Sequence, residues 1–158
     1  MSTYHHGELR AALLRAAAKI LEKEGRDAIS LRELARCAGV SHGAPYRHFA
    51  DRDALLAALA EEGFSLLVEQ LEGKAWREQA MAYLRFALAN PERFRLMFTR
   101  PVPTALRRLV GGDAVAQATW AMVHGLTVLI LSGHFGGEDP DTLLGETLAA
   151  VRFVQRSA

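Results

Sequence analysis

Apolar residues recur at intervals of three and four along almost the whole chain, which is the spacing of amphipathic α-helices. The first such segment predicts a helix over residues 7–24 that ends at Gly25. Its apolar stripe consists of Leu9, Leu13, Ala17, Ile20 and Leu21. Ser30, followed three residues later by Glu33, predicts a capping box at the start of a second helix.

Residues 30–49, SLRELARCAGVSHGAPYRHF, have the spacing of two short helices joined by a tight turn. Gly39 stands where the first helix must stop, because glycine accepts a left-handed backbone without steric cost. Ser41 is predicted to cap the second helix through its hydroxyl. Pro45 comes only four residues later and removes at most the first intrahelical hydrogen bond, so a short helix is still expected. The pattern is the helix-turn-helix signature, in which the second helix enters the major groove of DNA.

The remaining pattern predicts helices only, so we expect an all-α protein. A long helix capped by Asp51 should run over 51–72, with Gly63 allowing a close crossing or a bend. Further helices are predicted over 76–89, after Asn90-Pro91, over 113–133 and over 139–156, with 99–113 as a connecting segment. In the helix over 76–89, the side chains expected to point inward are Trp76, Ala80, Tyr83, Leu84 and Ala87.

Charge is distributed unevenly along the 158 residues. Residues 1–52 hold nine Lys and Arg against six Asp and Glu, whereas residues 53–158 hold ten against twelve. A basic first third is a modest indication of a nucleic-acid surface. The single cysteine, Cys37, excludes an internal disulfide and fits a reducing cytoplasm.

Three other classes of protein are not favoured: membrane-spanning, secreted and metal-binding proteins. The apolar stretch over 114–135 carries polar residues throughout and is expected to be a buried amphipathic helix rather than a membrane span. No signal-peptide pattern is expected at the N-terminus. His5 and His6 have no third ligand at a matching spacing, so no metal site and no cofactor are predicted, and the arm that carries them is expected to touch DNA or to be disordered.

With His48-Phe49 behind it and residues 51–56 (DRDALL) following, the helix-turn-helix segment resembles the DNA-binding domain of the TetR family of repressors. The resemblance implies a three-helix head over residues 1–52, with its motif at 30–49, and a C-terminal helical bundle over 53–158. It also implies a cytoplasmic homodimer that pairs through its last two helices and binds a near-palindromic operator on double-stranded DNA, most often as a repressor.

The candidate DNA contacts fall into two groups. Ser41, His42, Gly43 and Ala44 begin the second helix of the motif, where hydrogen-bonding groups and small side chains can meet base edges. Arg47 can reach either a guanine edge or a phosphate. By resemblance to the family, phosphate contacts are expected from Tyr46, His48 and Arg52. The capping residue Ser30 is included among the candidate DNA-binding residues. For Tyr46 the alternative is a place in the core, where Phe49 is expected to lie.

Behind the head, the pattern Trp120-x-x-x-His124-Gly125, with YLRFALANPERFRLMF before it, resembles TetR regulators with a ligand-binding C-terminal domain. A pocket for an apolar or aromatic effector is predicted among Phe64, Leu67, Tyr83, Leu84, Phe94, Met97, Phe98, Trp120 and His124. An ordinary core is the equal alternative for these side chains. The 99–113 connection is short for the family, which keeps open a DNA-binding regulator without an effector. A small helical enzyme using His124 is the remaining alternative, but Ser132 and Glu138 give it no oriented nucleophile, so no catalytic residue is predicted.

Overall fold

The computed structural model describes residues 6–150, and their side chains from residue 8 onward. His5 of the N-terminal arm and residues 151–156 of the predicted closing helix lie outside this range. Within it, all regular structure is helical, which confirms the all-α prediction. The helices are α1 (His6–Glu24), α2 (Leu31–Cys37), α3 (Arg52–Leu71), α4 (Trp76–Ala89), α5 (Pro91–Met97), α6 (Thr104–Val110), α7 (Ala114–Leu131) and α8 (Pro140–Ala150). Single 3-10 turns occupy Arg26–Ala28 and Pro45–Arg47.

The chain folds into two compact units. The first unit comprises the residues up to Phe64 together with Asn90–Pro101, and the second comprises Ser65–Ala89 together with the residues from Val102 onward. This grouping adds the first part of α3 and all of α5 to the helix-turn-helix residues, whereas the sequence places the division at residue 52. The helix α3 contributes residues to both units.

The first unit is built on the apolar face of α1. Leu13, Ala17 and Leu21 of the predicted stripe are buried, while Leu9 and Ile20 are half-buried. Phe49 is buried as predicted, and the Arg10 guanidinium lies over its ring at 5.4 Å from the centroid. Four further leucines of this unit are fully buried: Leu34, Leu55, Leu56 and Leu59. These side chains form the core of the first unit, in which α1 packs against α2 and α5.

The N-terminus of α5 is capped by a side chain from α1. Asn90 occupies the cap position that the sequence predicts, but its side chain makes no capping bond. Instead, the two Glu22 carboxylate oxygens accept hydrogen bonds from the backbone N–H groups of Glu92 at 3.1 Å and Arg93 at 2.8 Å. One carboxylate therefore satisfies two orphan donors and also meets the positive end of the helix dipole.

Replacing Glu22 with alanine should destabilise the first unit by about 1–2 kcal/mol, because both N–H groups then lose their acceptor. Chemical denaturation followed by circular dichroism measures the change. Glu24→Ala is the matched control, since Glu24 lies in the same last turn of α1 and makes only an exposed ion pair with Lys23 at 3.8 Å. Equal stabilities for the two variants would show that the cap does not contribute.

Gly63 allows the close crossing that the sequence predicts. A Cβ atom at this position would lie 2.7 Å from Sδ and 2.9 Å from Cγ of Met97, and 3.2 Å from Cδ of Arg93. Met97 is fully buried and Arg93 nearly so, so neither side chain can simply turn into solvent. The glycine is thus required by packing of α5 against α3.

Gly63→Ala should therefore destabilise the protein by about 1–2 kcal/mol, even though alanine is the better helix former. Thermal and urea unfolding measure this change. In a Met97→Ala background the obstructing atoms are gone, so the same substitution should become neutral or stabilising. A wild-type-like Gly63→Ala protein would contradict the argument.

In the second unit, α4 packs against both α7 and α8. Ala80, Tyr83, Leu84 and Ala87 are buried as predicted. Trp76 is not: it is 46% exposed, and the Arg77 guanidinium stacks over its ring at 4.7 Å from the centroid. As the first residue of α4, Trp76 has no preceding helical turn to pack against, so its expected inward position is wrong.

The predicted connecting segment contains a helix. The seven residues of α6 begin after Pro103, and Leu106 is fully buried against the rest of the second unit. The prolines and the Gly111-Gly112 pair favour a loop, so the sequence does not predict the short helix that buries Leu106.

The helix α7 lies within the predicted range 113–133, and Asp113 caps it by accepting a hydrogen bond from the Ala116 N–H at 2.8 Å. It is less buried within its own chain than predicted, because only Val123 and Thr127 are buried. By length and composition alone it is the one helix in the described part of the chain that could cross a membrane.

Candidate nucleic-acid interface and ligand cluster

The turn of the helix-turn-helix motif has the predicted geometry. The Ser30 hydroxyl oxygen accepts a hydrogen bond from the Glu33 N–H at 3.1 Å. The Glu33 carboxylate binds Arg36, whose guanidinium lowers the pKa of that carboxyl group. Gly39 ends α2 with a φ of +64°, and the Val40 N–H then donates to the Ala35 carbonyl at 3.0 Å. Ser30 thus fixes where α2 begins, and Gly39 sets the direction in which the chain leaves it.

The second element of the motif differs from the predicted α-helix. It is a turn followed by the 3-10 turn Pro45–Arg47, with hydrogen bonds from the Ala44 N–H to the Ser41 carbonyl at 2.9 Å and from the His48 N–H to the Pro45 carbonyl at 3.0 Å. Ala44 is the residue at the cap position, and no side chain caps this turn, so the predicted hydroxyl cap from Ser41 is wrong. Pro45 lacks the N–H that an α-helical bond to Ser41 requires, which favours the tighter coil.

This segment presents its polar side chains to solvent. Ser41, His42, Gly43 and Arg47 are exposed, and Tyr46 is 51% exposed. Because about half of its surface is exposed, Tyr46 does not lie in the core, and that alternative is excluded. The half-buried members of the predicted set are Ala44, His48 and Arg52.

Pro45 and Phe49 are the residues that hold this segment against the head, since both are buried. The sequence predicts Phe49 as a core residue, whereas it predicts Pro45 only as a helix breaker. The fixed φ angle of Pro45 leaves Tyr46 and Arg47 on the exposed side of a rigid turn.

Arg52 has a second role besides the predicted phosphate contact. Its Nε donates to the Ile29 carbonyl at 3.0 Å, and its Nη2 donates to the Arg26 carbonyl and lies 3.5 Å from the Asp27 carboxylate. The guanidinium therefore holds the turn between α1 and α2 against the start of α3. By contrast, no carboxylate among residues 8–150 forms an ion pair with Arg47.

The nine predicted pocket residues fall into two clusters, one in each unit. In the first unit, the Phe98 ring lies 5.5 Å from the Phe64 ring and 4.9 Å from the Phe94 ring, centroid to centroid, and Met97 is buried in the same unit. The second unit holds Leu67, Tyr83, Leu84, Trp120 and His124. A single pocket lined by all nine stays a prediction.

Three of the second-unit residues form a polar cluster between α4 and α7. The Tyr83 hydroxyl lies 2.7 Å from Nδ1 of His124. Tyr83 is buried, with 2% of its surface exposed. The Trp120 ring lies 6.1 Å from the imidazole, centroid to centroid. Burial raises the pKa of the Tyr83 phenol and lowers the pKa of His124, so both groups are neutral at pH 7. No group of three His, Cys, Asp or Glu side chains suited to a metal ion occurs in the described part of the chain.

The lowered pKa of His124 predicts a pH-dependent stability. The unfolded chain binds a proton at the ordinary pKa of histidine, whereas the folded chain resists it, so the free energy of unfolding should fall as the pH drops below about 6.5. The decrease should level off once the pH is below the folded pKa. In His124→Gln this contribution should be absent, so the stability difference between wild type and variant should change between pH 7 and pH 5. A constant difference across that range would contradict a lowered pKa of the half-buried His124.

Comparison with known proteins supports the reading of both halves. A family model described as "Bacterial regulatory proteins, tetR family" matches residues 13–59, and one described as "Tetracyclin repressor-like, C-terminal domain" matches residues 76–111. The chain is similar to the HTH-type transcriptional repressor Rv1474c of Mycobacterium tuberculosis, with 34% identity over 121 residues that cover 77% of this chain and 61% of the relative. The chain therefore spans less than two thirds of the length of that relative.

Solved structures show the same fold along most of the chain. A protein of unknown function from Rhodococcus sp. RHA1 is 35% identical, with a TM-score of 0.73 over 93% of this chain and 95% of that one. The TetR-Q116A variant from Acinetobacter baumannii AYE in complex with minocycline is 22% identical, with a TM-score of 0.58 over 93% of this chain and 98% of that one, and shows likeness of fold alone. With its helix-turn-helix geometry, the two matching family models and the similar repressor, the chain belongs to the TetR family of bacterial regulatory proteins.

Proposed function

We propose that this protein is a DNA-binding transcriptional regulator, most simply a repressor, that acts in the cytoplasm. The observation that carries the proposal is the exposed segment from Ser41 to Arg47, which follows a helix-turn-helix bend and is held rigidly by Pro45 and Phe49. Its polar and basic side chains face outward on the more basic third of the chain. This is the arrangement that a major-groove reader needs.

Each residue of the predicted set has a proposed role. Ser41, His42, Gly43 and Ala44 would meet base edges, because they come first in the segment and combine small size with hydrogen-bonding groups. Tyr46 and His48 would bind phosphates, and the Arg47 guanidinium would reach a guanine edge or a phosphate. We place Ser30 and Arg52 at the edge of the same surface, where their capping and bridging bonds position the backbone for contact.

The exposed face of α7 supports a homodimer. Ala114, Ala118 and Ala121 are exposed and Gly125 is half-buried, and their spacing of four, three and four residues puts them on one side of the helix. A Cβ atom at Gly125 would meet no neighbour within 4 Å, so this chain alone does not require the glycine. Residues 114–131 carry no charged side chain except His124 when it is protonated. We propose that α7 and α8 pair with their copies in a four-helix interface.

We call the exposed segment 41–47 the reading segment. A two-fold dimer of this kind would present two reading segments, one from each protomer, to one face of DNA. Half-sites of a near-palindromic operator would then lie about 34–36 Å apart, or a multiple of that distance. We further propose a small apolar effector; that a protein of this fold can hold a small molecule is shown by the structure of the Acinetobacter variant in complex with minocycline. It would favour a spacing of the heads that the operator does not fit, with α3 as the helix shared by both units.

The alternative is a DNA-binding regulator with no small-molecule effector. Shifts in thermal stability across a panel of metabolites would separate the two, since only a binding ligand raises the melting temperature. Two observations count against the enzyme alternative: the family consists of regulatory proteins, and Nδ1 of His124 is bonded to a neutral phenol rather than to Ser132 or Glu138.

Selection of the purified protein on a random pool of DNA duplexes tests the central proposal. An enriched inverted repeat, bound as a dimer with an affinity that falls steeply with salt in fluorescence anisotropy, is the expected result. Failure to enrich any sequence would overturn the proposal. Enrichment of a single half-site bound by a monomer would keep the reading segment and overturn the dimer.

A further inference from the structure

We propose that Arg10 of α1, which lies outside the helix-turn-helix motif, binds a DNA backbone phosphate beside the reading segment and so extends the DNA surface onto the first helix. This inference rests on the proposed DNA-binding function and adds a contact residue that the motif does not contain. Three features of Arg10 support it: its place on the helix, the ring that its guanidinium contacts, and a positive charge that no described carboxylate neutralises.

Arg10 lies on the apolar side of α1 although its side chain is charged. It precedes Leu13, Leu14 and Ala17 by three, four and seven residues, which are the spacings of one helix face, and all three of these side chains are buried. Arg10 itself is exposed, so it stands where this face leaves the core of the first unit. An apolar side chain here would extend the core, whereas arginine brings a positive charge to its edge.

The guanidinium of Arg10 contacts the ring that anchors the reading segment. Its Cζ lies 5.4 Å from the centroid of the Phe49 ring, and the Phe49 N–H donates to the Pro45 carbonyl at 3.0 Å. The imidazole of His48, which is proposed to bind a phosphate, lies 6.5 Å from the same ring, centroid to centroid. Attraction to a ring face does not saturate the five N–H donors of a guanidinium. Phe49 therefore holds the cation beside the reading segment and leaves it able to donate to DNA.

The charge of Arg10 is available to an external anion. No carboxylate among residues 8–150 forms an ion pair with it. The carboxylate of Asp51, two residues after Phe49, instead accepts a hydrogen bond from the Ala54 N–H at 2.8 Å and caps α3. An exposed arginine with no internal partner fits the charge and the acceptor oxygens of a phosphate.

The position of the guanidinium favours the DNA backbone over the bases. The residues proposed to meet base edges come first in the reading segment, whereas Phe49 follows its last residue, Arg47. Arg10 is thus placed at the end of the segment that carries the proposed phosphate contacts. A backbone contact adds affinity for every DNA sequence and does not change which sequence is preferred.

Fluorescence anisotropy across a salt series tests the contact in the full-length protein. The two probes are the duplex enriched by selection and a mixed-sequence duplex of the same length. Arg10→Gln should weaken binding of both duplexes by a similar factor, about tenfold or more, because a dimer loses the contact twice. The slope of log affinity against log salt should become shallower by about one for each protomer, whereas Arg10→Lys keeps the charge and should keep the slope.

Arg15→Gln is the matched control. Arg15 is also an exposed arginine of α1 without an ion pair among the side chains that the structure describes, but it lies about 140° round the helix from Arg10. Its affinity and its salt slope should match those of the wild type. Circular dichroism checks the fold of each variant, and Arg10→Met, which keeps an apolar stem against Phe49, gives the same test if Arg10→Gln is destabilised.

Duplexes in which one phosphate at a time is replaced by an uncharged methylphosphonate locate the contact. One replacement in each half-site should weaken binding of the wild type and have no further effect on Arg10→Gln, because the variant no longer uses that phosphate.

Two results would overturn the inference. An unchanged salt slope in Arg10→Gln would mean that Arg10 only packs on Phe49, and a loss confined to the selected duplex would mean that it reads a base. Either result, with an inverted repeat still enriched by the wild type, leaves the proposed regulator intact. A wild type that enriches no sequence would instead overturn the proposed function and this inference together.

Discussion

Replacing Leu129 with glutamate should convert the protein to a monomer and lower its affinity for an inverted-repeat operator by about a hundredfold or more. Leu129 is 42% exposed on α7, beside the equally exposed Val128, at the end of the stripe that begins at Ala114. In the proposed dimer this side chain is buried, so a carboxylate there would be desolvated without a partner. Without the dimer, the second reading segment loses its high local concentration at the second half-site.

Sedimentation equilibrium and fluorescence anisotropy measure the two parts of this result. The matched control is Leu88→Glu, because Leu88 is 38% exposed on α4 of the same unit but lies outside the proposed interface. The control should remain a dimer with normal operator affinity, and the circular dichroism of both variants should match wild type. A dimeric Leu129→Glu protein would place the interface elsewhere.

Elements governed by neighbours in sequence could be predicted well. Gly39 and Gly25 mark helix ends, and both adopt positive φ as expected of glycine at such positions. Asp51 and Asp113 were identified as caps from side-chain chemistry, and each accepts the predicted hydrogen bond from the N–H three residues later at 2.8 Å. Such signals are local, so one sequence suffices to read them.

Features that depend on distant parts of the chain could not be predicted. The cap on α5 comes from Glu22, about seventy residues earlier, and a glutamate in the last turn of a helix gives no local sign of that role. Likewise, the bonds from Arg52 to the carbonyls of Arg26 and Ile29 exist only once α3 has packed on the head. The resemblance to the family implies a phosphate contact for Arg52, and nothing in the sequence indicates these intramolecular partners.

The candidate ligand site shows the same limit. The spacing of Trp120 and His124 correctly placed them together on one face of α7, since residues four apart are neighbours on a helix. Their partner Tyr83 lies forty-one positions before His124, and only the packing of α4 on α7 brings the hydroxyl within 2.7 Å of the imidazole. For the same reason the sequence could not divide its aromatic residues between the two units.

Replacing Arg47 with alanine should lower operator affinity by about a hundredfold or more, because a dimer loses the contact twice and each loss costs about 1–3 kcal/mol. Arg47 is exposed, and no carboxylate in the described range pairs with it, so the substitution removes an interaction with DNA and little else. Arg107→Ala is the matched control, since Arg107 is also an exposed arginine but lies on α6 of the second unit.

The pattern of the loss identifies what Arg47 contacts. If Arg47 contacts a guanine, selection with Arg47→Ala should enrich sites in which one position of each half-site has lost its base preference. Arg47→Lys should not restore that preference, because lysine lacks the bidentate fork of arginine. A phosphate contact predicts uniformly weaker binding with a shallower salt dependence, and rescue by Arg47→Lys. His42→Ala should in either case change which bases are preferred, since His42 is exposed nearer the start of the reading segment. Operator affinity equal to that of Arg107→Ala would mean that the exposed segment does not enter the groove.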